Sequence, residues 1–144
     1  MKGKQVAVAL AVAATFAAAN AAAAMEQSLP PLQHQDGVAF VSGGDGQSEA
    51  HAFEHAIPRF PLALEFVRRG PRKDEFLAGA NVRLIDAHGK QVLSTVTDGP
   101  FLLAHVPAGR YKVIADYDGH TLKRMIEVDR RGHRRVVLEW PRGA

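Results

Sequence analysis

The chain has 144 residues, a formal net charge of +3 and no cysteine, and 47% of its residues are hydrophobic. Its length and composition are those of a single globular domain. The absence of cysteine excludes a disulfide framework, a lipid-attachment thiol and a cysteine nucleophile. The small net charge gives no support for a nucleic-acid partner.

Residues 1–24 are predicted to be a secretory signal peptide. Lys2 and Lys4 precede a long run of alanine and valine, and small residues suited to cleavage occupy positions 21–24. We expect cleavage after Ala24, which removes two of the 18 basic residues and leaves 16 against 15 acidic ones. The mature chain is therefore expected to be periplasmic or secreted, without a transmembrane segment.

The first part of the mature chain divides at Val38. Residues 25–37 contain a Pro-Pro pair and three glutamines without an apolar period, which predicts a disordered leader. Residues 38–75 predict a strand-helix-strand elaboration, with a helix over residues 48–57 that Ser48 caps. The residues expected to share one face of this helix are Ala50, Phe53, Glu54 and Ile57.

From residue 76 the pattern changes to short alternating segments separated by glycine-containing turns. Such even spacing predicts an antiparallel β-sandwich. The expected strands span residues 81–86, 91–97, 101–106, 111–117, 121–128 and 134–140. Alternation places Tyr111, Val113, Ala115 and Tyr117 on one core face, and Val136, Leu138 and Trp140 on another.

Three motifs in this region share an order: Ala80-Asn81-Val82-Arg83-Leu84, then Thr97-Asp98-Gly99-Pro100-Phe101, then Val106-Pro107-Ala108-Gly109-Arg110-Tyr111. Together they resemble the carboxypeptidase regulatory-like domain over residues 76–141. The resemblance implies a mainly β fold, a transthyretin-like (prealbumin-like) antiparallel sandwich of about seven strands. It also implies a role in stability, docking or ligand binding without catalytic residues or a cofactor, and a packed Tyr111 whose hydroxyl bonds to the preceding turn.

One motif indicates a different chemistry. His51, Glu54 and His55 fit the H-x-x-E-H pattern of zinc hydrolases, in which two histidines bind the metal and the glutamate acts as base. Pro58 shortens the helix, however, and a third ligand would have to come from a distant segment. We therefore expect an exposed histidine pair with weak metal affinity, and we keep a metal-dependent hydrolase as an alternative.

Basic residues suggest an interaction surface. Arg130, Arg131, Arg134 and Arg135 lie at the junction of the last two predicted strands, with Asp129 as the only acid expected beside them. Such a surface suits anionic lipid or polysaccharide. The aromatic residues Tyr111, Tyr117 and Trp140 could form a sugar-stacking platform, but their alternation favours core packing.

The sequence thus predicts a non-catalytic, exported binding or accessory module of the cell envelope. Its partner would be an envelope protein or an anionic surface component. An envelope protein that engages anionic lipid or polysaccharide through its basic loops is the second interpretation.

Overall fold

A computed structural model describes residues 28–143, so the predicted signal peptide lies outside the described residues. This part of the chain forms ten β-strands, one α-helix and a 3-10 turn over Ile57–Arg59. The bounds are β1 Gln33–Gln35, β2 Val38–Gly43, α1 Gln47–Ala56, β3 Leu62–Arg68, β4 Glu75–Phe76, β5 Asn81–Ile85, β6 Gln91–Val96, β7 Phe101–His105, β8 Gly109–Tyr117, β9 His120–Val128 and β10 Arg134–Trp140.

The strands form two sheets of six and four strands, which confirms the predicted mainly β, sandwich-like fold. The first sheet has the order β1-β2-β7-β3-β10, and the short β4 pairs with the end of β3. The second sheet has the order β6-β5-β8-β9. All pairs are antiparallel except β10 with β3, where Arg134 lies opposite Leu62 and Trp140 opposite Arg68.

The main core lies between the two sheets and contains the faces predicted from alternation. Trp140 is fully buried, with its ring 6.3 Å from that of Phe66 and 5.9 Å from that of Tyr117. Tyr111 is also buried, and its hydroxyl donates a hydrogen bond of 2.6 Å to the Pro107 carbonyl. The predicted packing of Tyr111 against its own turn is therefore confirmed.

A second apolar cluster lies on the outer face of the first sheet, where α1 packs over β2, β3 and β7. Phe53 of the helix stacks on Phe101 of β7, with ring centroids 5.8 Å apart. The chain enters the helix through Gly44, whose φ of +96° and contact with the Phe101 ring leave no room for a side chain. This close approach fixes the start of the helix against the sheet.

The helix differs in detail from the prediction. It begins at Gln47 with Gly46 as its N-cap, and no side chain caps it, so the expected Ser48 cap is wrong. Its buried residues are Ala52, Phe53 and Ala56, whereas Glu54 is exposed. The small alanines allow the helix backbone to approach the sheet on either side of Phe53.

The predicted organisation of residues 25–75 holds in part. Residues 38–75 contain the predicted strand, helix and strand as β2, α1 and β3, and both strands flank β7 within the first sheet. The prediction that order begins near Val38 is wrong for residues 33–35, which form β1. The leader prediction failed there because backbone pairing with β2 requires no apolar pattern.

Side-chain hydrogen bonds link the two sheets on both open sides of the sandwich. On one side, Gln35 of β1 uses its amide to bond the backbone of Ser94 in β6, donating at 2.8 Å and accepting at 2.9 Å. On the other side, the Trp140 indole donates a hydrogen bond of 3.0 Å to the His120 carbonyl, which links β10 to β9. The loop between β9 and β10 joins the opposite ends of these two strands.

Candidate functional site

A cleft of about 570 Å³ lies where both sheets end, between the outer strand β9 and the beginning of β10. Its lining combines three basic side chains with two acidic ones and an exposed methionine. These residues are Arg110, His133, Arg134, Glu127, Asp129 and Met125. Strands from both sheets contribute to the cleft, so its residues come from separate parts of the sequence.

Backbone pairing positions the basic residues of the cleft. Arg134 begins β10, and its N–H donates a hydrogen bond of 2.9 Å to the Pro61 carbonyl just before β3. Arg110 lies on β8 opposite Glu127 of β9. The two arginines therefore reach one cleft from different sheets.

His133 is held by its ring rather than by a strand. Its Nδ1 lies 3.0 Å from the Phe60 carbonyl oxygen, which can only accept a hydrogen bond. We therefore assign the hydrogen to Nδ1, which leaves Nε2 as an acceptor in the neutral ring. Neutral His133 can thus receive a hydrogen bond from a ligand in the cleft, and the protonated ring would donate one.

The charges of the two arginines in the cleft are not compensated by ion pairs in the described chain. Arg110 and Arg134 are both exposed, and neither forms an ion pair within residues 28–143. Glu127 and Asp129 also line the cleft, so its potential is mixed rather than uniformly positive. A ligand whose negative groups lie opposite the arginines suits this arrangement.

The structure separates the four arginines that the sequence grouped. Arg130 and Arg131 are exposed in the loop before β10, and Arg134 lines the cleft. Arg135 instead bonds Glu65 at 2.7 Å and Glu54 at 3.2 Å. The expectation that Asp129 is the only acid beside them is therefore wrong for Arg135, because neighbouring residues of β10 point to opposite faces.

The ion pairs of Arg135 secure the edge of the helix. The hydrogen bond that Arg135 donates to Glu65, followed by the charges of Glu65 and Glu54, raises the pKa of the Arg135 guanidinium. Glu65 is a buried acidic residue of β3, so this guanidinium compensates a charge that has lost most of its water. Arg135 thus has a structural contact, and its part in the anion-interaction surface stays a prediction.

The histidine motif lies on the outside of α1. His51, Glu54 and His55 are all exposed, as expected for a surface histidine pair, and the Glu54 carboxylate accepts hydrogen bonds from Arg135. Among residues 28–143, no three histidine or acidic side chains lie close enough together to hold a metal ion. The structure thus brings no third ligand to this pair within the described chain.

Burial distinguishes the two interpretations of the aromatic residues, core packing and a sugar-stacking platform. Tyr111 and Trp140 are buried, and Tyr117 packs against the main core. Their interpretation as core residues is confirmed. Among residues 28–143, the exposed large aromatic side chain is instead that of Phe76 in β4, with 62% of its surface accessible, and it lines a smaller cavity of about 350 Å³ beside the start of α1.

Sequence reasoning did not place Arg110 at the candidate site. It follows a Pro-Ala-Gly turn, where an arginine is typical of any solvated loop. Its neighbourhood depends on the β8–β9 register and on where β10 leaves the sandwich. The sequence could have indicated the place of Arg110 only if the pairing of β8 with β9 and the position of β10 had been predicted correctly.

No known family model matches this chain, and no curated protein is significantly similar to it. Within residues 28–143, no helix is long and apolar enough to cross a membrane. The observations on fold and site therefore identify a mainly β protein with two sandwich-like sheets and a mixed-charge cleft where both sheets end.

Proposed function

We propose that this protein is an exported, non-catalytic binding module of the cell envelope, built on a carboxypeptidase regulatory-like, transthyretin-like sandwich. Its site is the cleft between β9 and β10, and its partner carries a negatively charged group. The observation that carries this proposal is the convergence of Arg110 and Arg134 on one cleft, without an ion pair to either in the described chain.

The size and composition of the cleft support binding. Its volume of about 570 Å³ falls within the roughly 300–1,000 Å³ typical of ligand sites. Guanidinium groups are weakly hydrated, and their planar shape lets each bind a carboxylate through two hydrogen bonds. Glu127 and Asp129 in the same lining would repel negative charge placed beside them, which favours a partner whose acidic groups lie opposite the arginines.

One contact of the histidine motif bears on the alternative of a metal-dependent hydrolase. In zinc hydrolases of this pattern the glutamate must be free to take a proton from water. Here the Glu54 carboxylate accepts two hydrogen bonds from Arg135, at 3.4 and 3.2 Å. This contact favours a structural role for Glu54 and supports the non-catalytic proposal.

Binding assays with the predicted mature chain, residues 25–144, test this proposal. The ligands are polygalacturonate, anionic phosphatidylglycerol vesicles and neutral phosphatidylcholine vesicles, each at low and at physiological salt. A double variant, Arg110→Ser with Arg134→Ser, should bind an anionic ligand at least ten-fold more weakly than the parent. Binding should also weaken with salt, because the screening length falls to about 8 Å at physiological ionic strength.

The matched control is Arg72→Ser with Arg142→Ser, which has the same net charge. Both arginines are exposed, and they lie near the Arg68 and Trp140 ends of β3 and β10, away from the cleft. An equal loss in both double variants would mean that binding follows net charge, and would contradict a site in the cleft. Vesicle binding that depends on Arg130 and Arg131 alone would support the lipid-binding interpretation instead.

A further inference from the structure

β9 is a long strand with one unpaired edge. It pairs with β8 along its whole length, from Gly109 opposite Val128 to Tyr117 opposite His120. It ends the second sheet, and no strand of the described chain pairs with its other side. In an antiparallel ladder, alternate residues direct their N–H and C=O groups away from the partner strand, so β9 presents a row of backbone groups on this side.

The cleft is bordered by this edge and by the edge of the other sheet. Met125, Ile126 and Glu127 of β9 form one wall, and Arg134 at the start of β10 forms part of the other. β10 is itself the last strand of the first sheet. The cleft thus lies beside two strand edges, which are linked at the other ends of β9 and β10, where Trp140 bonds the His120 carbonyl. An extended chain is a suitable shape for this cleft.

The charges along β9 limit which strand could pair with it. Lys123 and Arg124 lie at its middle, and both are exposed. Arg124 belongs to the inward-facing row, opposite the buried Val113, a position where a charged side chain discourages pairing with apolar strands. Two copies of β9 paired antiparallel about their centre would place these basic residues close to one another, which is unfavourable. An acidic strand has the complementary charge.

We infer that the partner of the cleft is an extended, acidic peptide segment that adds to the second sheet as a strand beside β9. This inference rests on the proposed function, because it names the partner of the same site. Backbone hydrogen bonds to β9 supply affinity, and acidic side chains near Lys123, Arg124, Arg110 and Arg134 supply selectivity. Glu127 and Asp129 restrict the acidic residues to the part of the segment that faces the basic side chains.

A set of nine-residue peptides tests strand addition on the predicted mature chain. The parent peptide alternates threonine and glutamate, and a second peptide has lysine in place of glutamate. Two further peptides carry N-methyl groups on alternate residues, one in the odd and one in the even positions, which removes hydrogen-bond donors without changing charge. Because a strand alternates the direction of its hydrogen bonds, one methylated peptide should bind like the parent and the other at least ten-fold more weakly.

Protein variants and chemical-shift mapping complete the test. The acidic peptide should shift the backbone amide signals of β9 and of residues 129–134, and the lysine peptide should not bind. Arg124→Glu should weaken the acidic peptide at least ten-fold, whereas Arg72→Glu, an equal change in charge near the opposite end of β10, should have little effect. Folding of both variants is checked by the fluorescence of the buried Trp140.

Each other outcome overturns the inference in a distinguishable way. If both methylated peptides bind like the parent, binding needs only charge, and strand addition is wrong. If polygalacturonate binds with dependence on Arg110 and Arg134 while the peptides do not, the proposed function holds and the peptide partner is wrong. If a concentration-dependent dimer shifts the β9 signals, the occupant is a second copy of this chain. If no anionic ligand depends on the two arginines, the proposed function fails as well.

Discussion

The outer faces of the two sheets are built differently, although the sheets share one core. The helix α1 covers the outer face of the first sheet, where β2, β3 and β7 are buried along nearly their whole length. The outer face of the second sheet has no helix over it in the described chain, and Met125 there is 58% exposed. A continuous apolar strand therefore indicates a covered face, and an alternating strand indicates a face open to solvent.

Because of this difference, the covered face contributes to stability and the open face is available for binding. The covered face adds a second apolar cluster to the molecule, whereas the open face leads without interruption to the free edge of β9. On the open face, Ile114 is only 7% exposed, although its cross-strand neighbours are Arg83 and Lys123. Long basic side chains can cover such a residue with their aliphatic stems while their charged ends stay in water.

The largest effect is expected at the centre of the covered face. Phe53→Ala removes the ring that joins α1 to the sheet, and should lower the free energy of unfolding by about 3 to 5 kcal/mol, the scale for truncating a buried aromatic residue. Urea unfolding measures this change. Phe76→Ala, at an exposed ring of the same outer face, should cost less than about 1 kcal/mol. Similar costs for the two variants would show that α1 does not stabilise the sheet.

An intermediate effect is expected at the one buried residue of the open face. Ile114→Ala should lower the free energy of unfolding by about 2 kcal/mol, the lower end of the range for truncating a buried aliphatic residue, because flexible side chains can close over the space. Leu103→Ala, under the helix, should cost more, because a rigid layer leaves a cavity there. The comparison of open and covered faces would be wrong if the two substitutions had equal effects in the same urea assay.

A smaller effect is expected where the covered face ends. Arg135→Met leaves the buried Glu65 carboxylate without its guanidinium, which should lower stability by about 1 to 2 kcal/mol. Adding Glu65→Met should restore most of this loss, because the uncompensated charge is then removed. Thermal unfolding of both variants is the measurement. A double variant no more stable than the single one would contradict a compensating role for Arg135.

The smallest effect is expected on the open face beside the cleft. Met125→Thr replaces an exposed methionine with a residue that favours strands, and should change the free energy of unfolding by less than about 0.5 kcal/mol. The same urea assay that is applied to Ile114→Ala measures it. A loss above 1 kcal/mol would mean that something covers this part of the second sheet in solution.

The fold was more predictable from the sequence than the site. Alternation in β8 and β10 indicated the core residues correctly, because one buried face forces a period of two. β1 was missed because its three residues are polar and bind through the backbone and the Gln35 amide. The predicted buried face of the helix differed from the observed one. Ala52 and Ala56 are both buried, but alanine gives little hydrophobic signal in a sequence.

The candidate site depended on contacts between distant residues. Arg134 was predicted as part of a basic surface, but Arg110 joins it only through the pairing of β8 with β9. Arg135 pairs with Glu54, 81 positions away in the sequence. Charge patterns along a chain cannot show such pairs, because the partner is not encoded locally.

The parallel pairing of β10 with β3 also bears on the order of folding. Glu65 and Arg135, which are ion-paired across these strands, lie 70 positions apart. The β8–β9 hairpin can form from local contacts, whereas docking of β10 must first close this long loop. Until then, the apolar edge of β3 is open to other chains and Phe66 lacks its contact with Trp140. We expect this docking to limit the folding rate, and the fluorescence of the single tryptophan should report it in stopped-flow refolding as a phase slower than formation of the second sheet.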